Sequence, residues 1–126
     1  MLPYGYPVYP CVGGVFMENG YYAAVSYISA KPATIGNSAL LAASPGDKYR
    51  VLGYVLQGTG TVTVKFTDTD GATISQEWDF QAREGVVASV NPPSYLFEAP
   101  AGKGIQVNLS ANVAVNVTVM YVKVPA

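Results

Sequence analysis

Between Ser94 and Lys123 apolar and polar residues alternate with a period of two. Ile105, Val107, Leu109 and Ala111 fall on one side of an extended backbone, with Gln106, Asn108 and Ser110 on the other. Val113, Val115, Val117, Val119 and Tyr121 then oppose Ala114, Asn116, Thr118 and Met120. A period of two predicts strands with one buried and one solvated side. The polar side carries no charge, which makes Gln106, Asn108, Asn116 and Thr118 a candidate contact face.

Upstream, further extended runs are separated by turn chemistry. Tyr21–Ser29, Ala33–Ala43 and Lys48–Gln57 come first, the last two parted by Ser44-Pro45-Gly46-Asp47. Gly58-Thr59-Gly60 reverses the chain into Thr61–Thr67, and Asp68-Thr69-Asp70-Gly71 predicts a hairpin into Thr73–Phe80, because Asp-Gly readily supplies positive φ. Within Thr73–Phe80, Ile74, Trp78 and Phe80 are expected inward. Val86–Val90 and Tyr95–Glu98 follow on either side of Pro92-Pro93, and Gly102-Lys103-Gly104 reads as a tight hairpin. No stretch shows a capped helical period. The expectation is therefore an all-β protein of eight or nine strands, folded as a sandwich, a jelly roll or a barrel, since one open sheet would leave an apolar face and two edges exposed.

Lys48–Gln57 departs from alternation. Tyr49, Val51, Gly53 and Val55 share one side and Leu52, Tyr54 and Leu56 the other, so both sides are apolar. A second sheet covers only one of them. Either another subunit or a loop or arm of the same chain covers the other, and Tyr49, Leu52, Tyr54 and Leu56 become candidate partner-binding positions.

Residues 1–20 differ from the remainder, with three prolines, four glycines and three tyrosines. Proline fixes φ and removes a donor, so this segment is expected to be an extended N-terminal arm ahead of a single β-sandwich domain over 21–126. Tyrosine rings favour apolar resting places over open solvent, which makes Tyr4, Tyr6, Tyr9 and Phe16 candidates for contact with the domain or a neighbour; a disordered tail is the alternative.

Composition narrows the function. The 126 residues suffice for one hydrophobic core, and no apolar run approaches the ~20 residues of a membrane-spanning helix. The first residues hold no Lys or Arg and break any apolar helix with Pro3, Pro7 and Pro10, so Sec-type export is not expected. One cysteine, Cys11, excludes an internal disulfide. A net charge of −1 without clustered Lys or Arg argues against nucleic acid as a partner. Only 12% of residues are charged against the ~25% usual for soluble domains, which fits a surface partly covered by partners.

Reactive chemistry is sparse. The absence of histidine closes Ser-His-Asp and Cys-His catalysis, and the chain is not expected to be an enzyme or to carry a cofactor. Asp68-Thr69-Asp70-Gly71 opens like a calcium loop, but glycine comes too early and Asp79 stands where the closing glutamate belongs. Asn108-Leu109-Ser110 and Asn116-Val117-Thr118 match the glycosylation pattern without an export signal, and read better as cross-strand polar ladders.

The stretch ATIGNSALLAASPGDKYRVLGYVLQGTGTVTVKF, with its glycine turn ahead of Arg50-Val51-Leu52, Tyr54 and Leu56, resembles the opening of small β-proteins encoded among tailed-phage structural genes. The closing YLFEAPAGKGIQVNLSANVAVNVTVMYV is similar to their aromatic and alternating-valine ending. The resemblance runs from Ala33 onward and leaves the arm outside it. It implies a jelly-roll-like antiparallel β-sandwich of about eight strands, a protein of the virion without catalysis, foremost a capsid decoration protein on the outer shell, assembled in the host cytoplasm. Its partners would be its own copies, as a homotrimer, and the major capsid protein of a phage; neither nucleic acid nor membrane is expected. The arm from Leu2 through Phe16 would clasp a neighbour. A receptor- or carbohydrate-binding module of a tail or head fibre is the alternative, with Trp78, Tyr95 or Phe97 as a stacking platform where exposed.

Overall fold

The computed structural model describes residues 15–18, 21–91 and 93–126. These residues form strands and turns and no helix. A hairpin of β1 (Val15–Glu18) and β2 (Tyr21–Ala24) precedes nine further strands: β3 (Ser26–Ala30), β4 (Gly36–Leu41), β5 (Asp47–Gly58), β6 (Val62–Asp68), β7 (Trp78–Phe80), β8 (Gly85–Ser89), β9 (Phe97–Glu98), β10 (Ile105–Leu109) and β11 (Val115–Pro125). One sheet runs β3-β11-β5-β8, with β9 also paired to β5, and the other runs β4-β10-β6-β7. Every pairing is antiparallel. The chain passes from sheet to sheet at almost every turn, and the two strand orders are those of a jelly roll, the architecture the resemblance implies.

The alternating residues build the interior. Ile105, Val107 and Leu109 of β10 face Val115, Val117 and Val119 of β11 across the sandwich, all buried. Removing each such side chain from water is worth roughly 1.5–3 kcal/mol. At one end the core is aromatic: Tyr54 lies 5.0 Å from Trp78, and Phe66 lies 5.4 Å from Phe97 and 5.9 Å from Trp78, centroid to centroid. Trp78 and Phe80 point inward as expected, with Ile74 packed against the same core.

Turn residues act as their chemistry dictates. The buried Asp68 carboxylate accepts the backbone N–H groups of Asp70 (2.8 Å) and Ala72 (3.0 Å), and Gly71 supplies a φ of 87° for the β6–β7 hairpin. Ser44 Oγ donates to Asp47 Oδ2 at 2.9 Å, and Gly46 has a φ of 82° between β4 and β5. Gly102-Lys103-Gly104 does not close a hairpin. It carries the chain from β9 in one sheet to β10 in the other, and Gly102, at φ 76°, bonds back to Asp47 through its N–H.

Two boundaries also differ from expectation. Tyr21–Ser29 is divided at Val25 into β2 and β3, and Phe16 lies in a paired strand, opposite Ala23, where an unpaired arm was expected. Thr73–Phe80 keeps one bridge, Thr67 to Thr73, before leaving the ladder until Trp78. Ser75 explains the interruption, because its hydroxyl accepts the Phe66 N–H at 2.9 Å that a regular strand would have bonded through its backbone.

The apolar character of both sides of Lys48–Gln57 has a local cause. The β5–β11 ladder shifts register between Met120 and Tyr121: Gly53 pairs with Met120 and Val51 with Tyr121, leaving Leu52 as the extra residue of a β-bulge. Tyr49 and Val51 therefore face the core before the bulge, and Tyr54 and Leu56 after it. Leu52 is displaced outward and is completely buried there with Val122 and Val124, against Val25 and Met120. Its cover comes from the same chain. Leu52→Ala is expected to cost about 2–4 kcal/mol in urea unfolding, by the same amount at low and high protein concentration; a loss that grows on dilution would place its contacts between subunits.

Candidate interaction surface

Beyond the bulge, strand register fixes which side chains share the outer face of the β3-β11-β5-β8 sheet. Tyr27, Met120, Gly53 and Ser89 form one row across the four strands, and Ser29, Thr118, Val55 and Val87 form the next. Asn116, Gln57 and Gly85 continue the third. No member of these rows is charged. Tyr27 is 69% exposed, Val55 46% and Val87 71%, and Val55 and Val87 are directly opposite each other.

Gly53 shapes the middle of this face. A Cβ there would come within 3.0 Å of the Ala88 carbonyl oxygen, 3.1 Å of Ser89 Cβ and 3.3 Å of Met120 Cε. Its absence leaves a shallow apolar depression of about 240 Å³ between Tyr27, Val55, Val87 and Met120. Ser29 Oγ and Thr118 Oγ1, 2.9 Å apart, satisfy one another, so that part of the face presents methyl groups and paired hydroxyls. Charge begins beyond the bulge, where Arg50 Nε meets Glu98 Oε2 at 3.0 Å and the Arg50 guanidinium lies 4.6 Å from the Tyr95 ring centre.

The opposite sheet is polar on its outside. Asn108 Nδ2 donates to Asn37 Oδ1 at 2.8 Å, Thr63 Oγ1 to Asp79 Oδ1 at 2.7 Å, and Lys65 pairs with Glu77 at 3.8 Å. Lys103 Nζ lies 2.7 Å from Asp70 Oδ2, and that hydrogen bond holds the Lys103 pKa above its ordinary value. These groups answer each other across strands and leave few unmet demands. The two outer faces therefore differ in kind, one self-satisfied and polar, one uncharged and largely apolar.

The residues expected at a partner surface are distributed differently from the expectation. Tyr4, Tyr6 and Tyr9 lie outside the described residues. Tyr49 is buried, with its hydroxyl donating to the Ala42 carbonyl at 2.8 Å and its ring edge-on to Tyr121 at 5.7 Å. Leu52 and Leu56 are buried within the chain, and Tyr54 packs against the core. Tyr49, Leu52 and Leu56 are thus core residues with no side chain offered to a neighbouring subunit, and Tyr54 is half-buried at the margin of the core. The exposed positions on the same sheet are instead Val55, Val87, Tyr27 and, half-buried, Met120, and within β5 only the bulge reverses the assignment. Gln106 and Asn108 do not share a face with Asn116 and Thr118, because β10 and β11 belong to different sheets. Of the aromatic candidates, Trp78 is buried and Phe97 half-buried, and Tyr95 is exposed beneath Arg50.

Among the described residues no group of three His, Cys, Asp or Glu side chains could hold a metal ion. No described helix is long and apolar enough to cross a membrane. The sequence matches no protein-family model and, at a significant level, no curated protein.

Burial pushes the Tyr54 phenol above its ordinary pKa of 10.0. The folded state then holds this proton more tightly than the unfolded chain, so the associated stability is complete below 10.0 and is lost as pH rises through the folded value. Urea unfolding at about pH 9 and about pH 11 should show a loss of stability that is smaller in Tyr54→Phe.

Proposed function

We propose that this chain is a structural protein of a tailed-phage virion, a capsid decoration protein that binds the outer shell as a homotrimer and stabilises it. The observation that carries the reading is the uncharged outer face of the β3-β11-β5-β8 sheet, with Tyr27, Val55 and Val87 exposed side by side. Contiguous apolar surface of this kind, bordered by polar and charged residues, is characteristic of a contact site. The resemblance of the Ala33–Ala126 region to small β-proteins of tailed phages supplies the setting, and the low charge of the whole chain agrees with a surface that is covered in use.

Dimensions bear on how such an assembly is held. Three outward rows on four strands span roughly 400 Å², from ~6.8 Å between successive outward residues and ~4.8 Å between strands. A stable contact buries about 800 Å² on each partner, so the sheet face supplies about half of what is needed. In this reading the Tyr- and Pro-rich residues 1–14, which lie outside the described residues, supply the rest by contact with a neighbouring subunit or the major capsid protein.

Light scattering of the intact protein at micromolar concentration should return a mass of about three chains. Val55→Lys with Val87→Lys, both solvent-facing, should leave the unfolding midpoint nearly unchanged and shift that mass to one chain. A wild-type protein that is strictly monomeric would overturn the reading. Removal of residues 1–14, which spares the β1–β2 hairpin, separates the roles of arm and face: loss of capsid co-sedimentation with the oligomer intact assigns the arm to the shell, and no effect on either removes the arm from the proposal.

A further inference from the structure

The side of the sandwich away from β3 and β4 is incompletely closed. β7 has three residues and β9 two, and the segment Ile74–Gln76 leaves the ladder, so the aromatic end of the core shows through between the two sheets. The opening is a pocket of about 340 Å³ walled by Tyr54, Trp78, Phe97, Ile74 and Leu96, with Ser75 and Gln76 at its polar side. No lining residue is charged. From this pocket we infer a binding site for a neutral sugar ring, separate from the oligomeric face.

Three observations select that chemistry. Aromatic walls suit the apolar C–H faces of a pyranose, and the volume lies at the lower end of small-molecule sites, of roughly 300–1,000 Å³, where a single ring fits. The Gln76 side chain is exposed, and its amide has no hydrogen-bond partner among the described residues, leaving both a donor and an acceptor for hydroxyl groups. Trp78 Nε1 is buried without an acceptor, the only such side-chain atom among the described residues. An unmet buried donor is costly, and a ligand oxygen that reaches it recovers that cost on binding. Ser75 contributes shape alone, since its hydroxyl already accepts from Phe66 N–H and donates to the Gln76 carbonyl at 2.9 Å. The absence of positive charge disfavours anionic ligands, whose desolvation nothing in the pocket would offset.

Trp78 is the sole tryptophan, so its emission reports on this pocket alone. Titration of the intact protein with glucose, galactose, mannose and N-acetylglucosamine should give a saturable change in that emission for at least one of them, with a dissociation constant on the order of 1 mM. Gln76→Ala should weaken binding roughly tenfold, as should Trp78→Phe followed by saturation-transfer NMR, the effect of losing one hydrogen bond to the ligand. Gln76 is exposed, so its variant tests the site even where the Trp78 replacement disturbs folding. No saturable response to any of the four sugars would overturn the inference, as would a response of unchanged strength in Gln76→Ala. The light-scattering mass is independent of either result.

Discussion

The long ladder between β5 and β11 governs this molecule. It runs from Val115 opposite Gly58 to Pro125 opposite Asp47 and forms the middle of its sheet, so every side chain on both faces of that sheet takes its direction from this pairing. A strict period of two would have placed Tyr49, Val51, Gly53 and Val55 on one side throughout. The single extra residue at Leu52 breaks that rule once. Tyr49 and Val51 face the core on one side of the bulge, and Tyr54 and Leu56 on the other, which leaves Gly53 and Val55 outside. The aromatic end of the core and the apolar outer face are thus two results of the same displacement.

Much of this was legible in the sequence. The valine alternation of β10 and β11, the Asp-Gly hairpin after β6 and the inward Trp78 and Phe80 follow from local period and turn chemistry, which need no knowledge of distant partners. What was not legible depended on pairing. A bulge is defined by the opposite strand, so Leu52 reads in isolation as one more member of an apolar side. Likewise Gly102-Lys103-Gly104 has the residues of a hairpin, yet its flanking strands find their partners in different sheets. Ser75 replaces a backbone acceptor with its own hydroxyl, and no periodicity announces that substitution. The candidate surface was missed for the same reason: Val55 and Tyr54 exchange sides only because Leu52 does not pair.

The two outer faces show how one sandwich can present opposite surfaces to its surroundings. On the β4-β10-β6-β7 side, Asn37, Asn108, Thr63 and Asp79 bond among themselves, so water or a neighbour gains little by competing with them. On the other side the Val55 and Val87 side chains have nothing to bond, and with the Tyr27 ring they gain from a cover that excludes water. The contrast arises although the chain as a whole is close to neutral, because its opposite charges are paired on one face and excluded from the rows of the other.

The place of β11 in the sheet also orders events in time. It is the last strand to be synthesised, yet it lies between β3 and β5 and carries Met120 and Thr118 into the centre of the outer face. While the ribosome is still making it, Tyr27 on β3 and Val55 on β5 have no common sheet to belong to. The Val55–Val87 pair needs only β5 and β8, but Tyr27 joins it in one face only when β11 enters between β3 and β5. Completion of that outer face is thus coupled to closure of the fold by topology alone.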